Sequence, residues 1–219
     1  MIVTVAHTKG GTGKTTTALQ LALYWKTRLG RDVWLIDGDE QQSALTAVGI
    51  RADSGIDPAL PCSAYSDGRS MISQIRAQKK KWEDIVIDVG GRDTSALRAA
   101  LMVCDVLLIP VMPRSYDVWA LSNLQEVIQE AKDLGAEFRV LAFLCCADSQ
   151  GNDNQAAMES MAAFPEFEVL PASLVRRKAF AAAAGTGLSV FEMKPADRKA
   201  CNELATLSEA VLADTDGQL

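Results

Sequence analysis

The sequence predicts an α/β fold: a mostly parallel twisted sheet with helices on both faces, in one domain over 1–219. Three observations carry this. Apolar runs such as Asp84-Ile85-Val86-Ile87-Asp88-Val89 are continuous rather than alternating, as in strands buried on both faces. Strand-like and helix-like segments alternate along the chain, the order of a parallel sheet. The first strand runs into a glycine-rich loop and then a helix, the order that a phosphate-binding turn requires.

Ile2-Val3-Thr4-Val5-Ala6 opens a strand at 2–7, and a helix follows at 14–29. Val33-Trp34-Leu35-Ile36-Asp37 forms a strand at 33–37 that ends in carboxylates. The segment 48–67, with Gly49, Gly55, Pro58 and Pro61, reads as an irregular excursion. A helix at 68–80 leads to strand 84–89, helix 94–102 and strand 105–111. Trp119, Leu121, Leu124, Val127 and Ile128 recur at helical spacing in 117–134 and read as core. Strand 138–145 and helices 153–163, 174–184 and 196–213 complete the chain. Ligands of such sheets bind beyond the carboxyl ends of the strands, where segments 8–16, 37–41 and 88–91 fall.

With 219 residues, 48% hydrophobic and 23% charged, the chain can bury a sizeable globular core. Its net charge of −6 repels DNA and anionic membrane in bulk, so nucleic-acid contact requires a local basic patch. The five cysteines (Cys62, Cys104, Cys145, Cys146 and Cys201) lack CxxC spacing and read as reduced thiols of a cytoplasmic protein. The glycine-rich loop begins too soon after Met1 for a signal peptide, and no apolar run approaches the ~18 residues of a membrane span.

The chemistry concentrates in Lys9-Gly10-Gly11-Thr12-Gly13-Lys14-Thr15-Thr16. A glycine-rich loop before a helix aims backbone N–H groups into one concavity, and the helix adds its positive end. Gly10, Gly11 and Gly13 admit close approach of phosphate. Lys14 neutralises β- and γ-phosphate charge, Thr15 offers a hydroxyl to Mg²⁺, and Thr16 reaches a phosphate nearer the base. Thr8 stands where the strict phosphate-loop pattern has glycine, and Lys9 is a second cation at the loop entrance. Lys9 can point away from its own nucleotide toward one held by a facing subunit. Further on, Asp37 and Asp39 are two apart at a strand end, so one can support Mg²⁺ and the other orient water. A polar turn capping a helix is the alternative reading of these acids. His7 reads as a local hydrogen-bonding residue.

Lys-Gly-Gly-Thr-Gly-Lys-Thr-Thr resembles the deviant Walker A motif of ParA/MinD-type ATPases, and the chain is most similar to small plasmid-partition members without an N-terminal DNA-binding domain. The resemblance implies a P-loop NTPase fold and ATP with Mg²⁺. It puts Lys9 across an ATP-sandwich homodimer and Lys14 in the ordinary phosphate-binding role. Asp37-Gly38-Asp39-Glu40-Gln41 is similar to the family's Asp-x-Asp-Pro-Gln motif, which implies Asp39 for water positioning and Asp37 for the metal shell; Glu40 replaces the proline. Asp84–Gly91 resembles a Walker B strand, with Asp88 on Mg²⁺ through water and with Gly90 and Gly91 letting a backbone N–H touch the γ-phosphate. Segments at 105–111, at Ser115–Leu121 and ending at Glu192 resemble later blocks of the family. Adenine is then expected near Cys146 and Pro171.

Arg176, Arg177, Lys178, Lys194, Arg198 and Lys199 outnumber Glu192 and Asp197 between 176 and 199, a concentration that fits non-specific DNA contact. The resemblance implies DNA binding by the ATP-bound dimer, here through Arg176, Arg177, Lys178, Arg198 and Lys199. It also implies release by hydrolysis that a centromere-binding adaptor stimulates, and nucleoid association in the cytoplasm. The expected function is thus DNA (plasmid) partition. The alternatives are a positioning ATPase for a protein cargo, such as a microcompartment or chemosensory cluster, and a MinD-like membrane switch. The acidic tail from Ala213 to Leu219 disfavours the membrane switch. An iron–sulfur carrier using Cys104 with Cys145 or Cys146 is a remoter alternative.

Overall fold

The structure is a computed structural model that describes residues 1–91, 94–113, 117–148 and 152–213. Ser115, part of one expected block, and the tail beyond Ala213 lie outside the described residues.

The fold is α/β with a seven-stranded sheet in the order β3-β2-β4-β1-β5-β6-β7. The strands are β1 (Ile2–Val5), β2 (Val33–Gly38), β3 (Cys62–Ala64), β4 (Asp84–Val89), β5 (Val106–Val111), β6 (Arg139–Ala147) and β7 (Glu168–Val175). Every neighbouring pair is parallel. Helices α1 (Lys14–Thr27), α2 (Ser43–Asp53), α7 (Lys178–Gly185) and α8 (Arg198–Leu212) share one apolar cluster with Val3, Val5, Leu35, Val86, Leu108 and Phe143. Helices α3 (Gly68–Gln78), α4 (Thr94–Leu101), α5 (Asp117–Asp133) and α6 (Asp153–Ala162) share the other with Ile2, Trp34, Ile87, Ile109 and Leu144. Successive strand residues enter opposite clusters, the period-2 alternation of a pleated strand. Both clusters are apolar, which is why the strands read as unbroken hydrophobic runs.

Leu121, Leu124, Val127 and Ile128 of α5 are buried in core. Helix α1 is nearly all buried from Thr17 to Leu23. Its Trp25 indole N–H donates to Ser208 Oγ of α8 at 2.7 Å.

Three expectations are corrected. The excursion at 48–67 is in part helix, because α2 continues to Asp53. Burial of Ala44, Ala47 and Val48 outweighs the helix cost of Gly49, about 1 kcal/mol. Within the same stretch, three residues of β3 pair with Leu35–Asp37, too short a run to show a pattern. The helix expected at 174–184 starts only at Lys178, because Leu174 and Val175 still pair with Cys145 and Ala147 in β7. Pro171 hid that strand. Proline is admitted there because β7 is an edge strand.

Candidate functional site

The loop between β1 and α1 lies at the carboxyl edge of the sheet. Gly11 and Gly13 have φ of 79° and 91°, a left-handed conformation that favours glycine. At Gly13 a Cβ would also stand 2.6 Å from Cys145 Sγ, so the loop rests directly on the end of β6. Gly13 is the N-cap of α1, and its C=O accepts the Thr17 N–H at 2.9 Å. The His7 Nδ1 accepts the Lys9 N–H at 3.0 Å, the local role the sequence suggested. The Lys14 ammonium donates to the Lys9 C=O at 3.0 Å. Burial pulls the Lys14 pKa down, opposed by the charges of Asp88 and Asp39.

These residues open onto a cavity of about 820 Å³, within the range of small-molecule sites. Gly10, Gly11, Gly13, Lys14, Thr15 and Thr16 form one wall; Asp39, Glu40 and Gln41 another; Gly90, Gly91 and Cys146 complete it. Glu40 and Gln41 extend the expected set, and their signal was adjacency to Asp39. Lys9 is half-buried and outside this lining. Thr12 is fully buried and outside the lining. Pro171 is corrected: it sits exposed in the body of β7, outside the lining. Cys146, by contrast, ends β6 at the cavity with a left-handed φ of 54°.

Asp37, Asp39 and Asp88 lie near enough to act on one another through their charges. Asp37 and Asp88 are register partners on β2 and β4, and both are buried. Asp37 Oδ1 accepts the Asp39 N–H at 3.0 Å, and Oδ2 accepts the Leu45 N–H at 2.9 Å. In this state Asp37 therefore pins the start of α2, the capping role that was its alternative reading. Burial raises its pKa, and those backbone bonds oppose the rise.

Neither Asp88 oxygen has a hydrogen-bond partner at ordinary geometry. Burial pushes its pKa up to about 7, against the pull of the Thr15 hydroxyl and the Lys14 charge. A buried, unpartnered carboxylate beside a threonine hydroxyl fits a hard divalent cation, which takes one or two carboxylates, waters and phosphate oxygens. Among the described residues no three His, Cys, Asp or Glu side chains group to hold a metal unaided; the phosphates must complete such a site.

Gly90 and Gly91 close the floor. A Cβ on Gly90 would come within 2.9 Å of Asp39 Oδ2, and one on Gly91 within 3.0 Å of the His7 C=O and 3.1 Å of the Lys9 C=O. The end of β4 is thus wedged between loop and acid, so a shift in either is felt by both.

The cysteines form no cluster. Cys104 precedes β5 while Cys145 and Cys146 end β6, at opposite edges of a parallel sheet. Burial lifts the Cys104 thiol to about 12. The iron–sulfur alternative therefore has no geometric basis.

The basic segment begins where β7 ends, at Arg176. Arg176, Lys178, Lys194, Arg198 and Lys199 are exposed. Arg177 is corrected: its guanidinium donates to Glu203 Oε1, at 2.9 Å from Nε, while Glu203 Oε2 accepts the Val175 N–H at 3.1 Å. That pair joins the start of α7 to α8 and removes Arg177 from the available cations. Glu192 is likewise neutralised, by Arg51, so it does not dilute the patch. Lys178 opens α7, and Arg198 and Lys199 open α8, placing cations where the helix dipoles are already positive. Among the described residues no helix is long and apolar enough to cross a membrane, and the apolar face of α8 is spent on the core.

Residues 3–190 match the family described as the CobQ/CobB/MinD/ParA nucleotide binding domain. The maintenance of carboxysome distribution protein A of Halothiobacillus neapolitanus is 29% identical over 212 residues, covering 95% of this chain and 94% of that one. The McdA–ATP complex of Cyanothece superimposes with a TM-score of 0.79 at 19% identity, over 96% of this chain and 95% of that one. A Borrelia burgdorferi plasmid partition protein bound to AMPPNP superimposes with a TM-score of 0.71 at 18% identity, over 95% and 98%.

Proposed function

Given that the chain belongs to the CobQ/CobB/MinD/ParA nucleotide-binding family, we propose that it is a single-domain, Mg²⁺-dependent ATPase of the ParA type. It dimerises around ATP, holds non-specific DNA, and lets go after hydrolysis that an adaptor stimulates. The observation that carries this is the unpartnered Asp88 carboxylate beside Thr15, under a loop whose glycines and Lys14 face an open cavity. When bound, Mg²⁺ supplies charge neutralisation at the phosphates.

The chain's own residues do the rest. The N–H groups of Gly10, Gly11, Thr12 and Gly13 and the Thr16 hydroxyl hold the phosphate chain. Lys14 leaves the Lys9 C=O for the β- and γ-phosphates. Thr15 and Asp88 hold the metal shell, with Asp37 behind them. Asp39, on the cavity wall, orients the attacking water, and Gly90 gives its N–H to the γ-phosphate. Cys146 borders the base. Lys9 serves the neighbouring protomer, where one well-placed donor contributes roughly 2.7–4 kcal/mol to a transition state. Arg176, Lys178, Arg198 and Lys199 contact DNA phosphates, which makes the protein nucleoid-associated in the cytoplasm.

Plasmid DNA is one cargo, by analogy with the partition protein whose fold the chain shares. The end-to-end similarity to a carboxysome distribution protein favours a second reading, in which the cargo is a protein body and DNA only the track. The chemistry is the same in both.

The test is DNA binding with ATP, ADP and no nucleotide, together with light scattering of Lys9→Ala. Binding only with ATP, and loss of the ATP-dependent dimer in Lys9→Ala, are expected. Equal DNA binding in all three states refutes the switch; an unchanged dimer and turnover in Lys9→Ala refute the trans role.

A further inference from the structure

The segment Gly187–Glu192 joins α7 to α8, the two helices whose first residues carry Lys178, Arg198 and Lys199. It is gripped by two buried polar side chains, one from α1, whose first residues line the cavity, and one from α2, which follows the lining residues Asp39–Gln41.

The first is Gln20 of α1, fully buried. Its Nε2 donates to the Leu188 C=O at 2.8 Å, and its Oε1 accepts the Val190 N–H at 2.9 Å. The second is Arg51 of α2, only 1% exposed. Its guanidinium donates to both oxygens of Glu192, at 2.9 and 2.8 Å, to the Gly187 C=O at 3.1 Å and to the Pro58 C=O at 3.0 Å. Glu192 returns a bond by accepting the Ser189 N–H at 2.8 Å. At Gly187 a Cβ would stand 2.4 Å from the Ala47 C=O and 2.8 Å from the Arg51 N, so the segment touches the α2 backbone itself.

The other end of α2 is tied to the acids of the cavity. Asp37 holds the Leu45 N–H, and the Asp39 C=O accepts the Gln42 N–H at 3.0 Å. From Leu45 to Arg51 is six residues, about 9 Å of helix. Beyond the segment, Cys201 Sγ donates to the Val190 C=O at 3.5 Å, which fixes the first turn of α8.

We propose that Arg51, with Glu192, is the positioning residue through which the nucleotide state at Asp39 sets the geometry of the basic face on α7 and α8. The inference rests on the DNA-binding reading above. A buried guanidinium–carboxylate pair is a poor device for stability, since apolar replacement of both partners is often neutral. It is a good device for holding one geometry, because four bonds to Glu192, Gly187 and Pro58 must move together. A helix that begins at the glycine-rich loop and one that follows the acidic wall thus hold one connector, and the helices on either side of that connector carry the cations.

The experiment uses the full chain with both partners replaced, Arg51→Met with Glu192→Leu, which leaves no unpaired buried charge. Gln20→Met is a second variant, should the double one fold poorly. Two readouts are taken. In hydrogen exchange, addition of a non-hydrolysable ATP analogue with Mg²⁺ protects residues 187–200 in the wild type. In the double variant that protection is lost, while nucleotide affinity stays within threefold. In DNA binding, the ratio of ATP-state to ADP-state affinity falls at least tenfold in the variant.

If the wild type shows no nucleotide-dependent protection at 187–200, or the variants keep both protection and ratio, the proposal is overturned. If protection is present and clamp-dependent but DNA binding ignores nucleotide, the relay stands and the DNA-binding reading falls.

Discussion

Replacement of Asp88 by Asn separates what the site costs from what it does. The buried carboxyl has a pKa raised from 3.8 to about 7, chiefly by loss of solvent. Such a group binds its proton more tightly in the folded chain than in the unfolded one. Its stabilising contribution is complete below about pH 4, shrinks as pH rises, and is gone above about pH 7. Each pKa unit corresponds to 1.36 kcal/mol, so the charged form costs the folded protein on the order of 4 kcal/mol. Water entering the open cavity reduces this. Asp88→Asn keeps the shape without the charge, so the nucleotide-free variant is more stable than the wild type at pH 8 by about 1–4 kcal/mol. For a chain of this size that is a gain of roughly 2–16 °C in Tm. The gap narrows toward pH 5. Thermal melts of both proteins from pH 5 to 8.5, without nucleotide or Mg²⁺, measure it. The same variant loses Mg²⁺-dependent turnover. A variant less stable than the wild type at pH 8, or a gap independent of pH, would show that the carboxylate is satisfied in the folded protein and would remove the structural argument for a cation there.

Gly13→Ala forces a side chain onto a φ of 91° with the Cys145 sulfur 2.6 Å away. A loss of at least about 2 kcal/mol in a denaturant melt and abolished nucleotide binding are expected. In salt titrations of DNA binding, Arg198→Ala with Lys199→Ala lowers the slope of log K against log salt by about 0.9 for each phosphate contact removed. Arg177→Ala changes the slope by much less and instead destabilises the fold, because it strands Glu203.

The fold and the glycine-rich loop between β1 and α1 were legible for physical reasons. Burial on both faces turns strands such as Val106–Val111 into unbroken apolar runs, and a phosphate loop must spell out its glycines and lysine in consecutive positions. What escaped was set by tertiary context. The strand at Glu168–Val175 contains a proline that only an edge position permits, and α2 contains a glycine that only packing excuses. The pairing of Arg177 with Glu203, and of Arg51 with Glu192 across 141 positions, leaves no trace in local spacing. The sequence therefore overstated Arg177 as a DNA contact and was silent on Arg51.

Glu40 stands where the resemblance leads one to expect proline, and the structure gives it a measurable role. It is exposed and lines the cavity opposite the phosphate loop, so its charge acts on the ligand through water. Two unit charges about 8 Å apart in water repel by roughly 0.5 kcal/mol, and that separation is also about the Debye length at physiological salt. Neutralisation by Glu40→Gln is therefore worth two- to fivefold in affinity at low salt, more for ATP than for ADP, since the added phosphate carries the extra charge. At 0.5 M salt the difference vanishes. Nucleotide titrations at both ionic strengths decide it. A gain that survives high salt would locate the effect in the turn from Asp39 to Gln42, whose last residue holds a left-handed φ of 50°, rather than in the field. No gain at low salt would mean that Glu40 turns away when nucleotide enters. In that event the acid in place of proline would act on loop motion, and the natural comparison would be the rate of dimer formation rather than affinity.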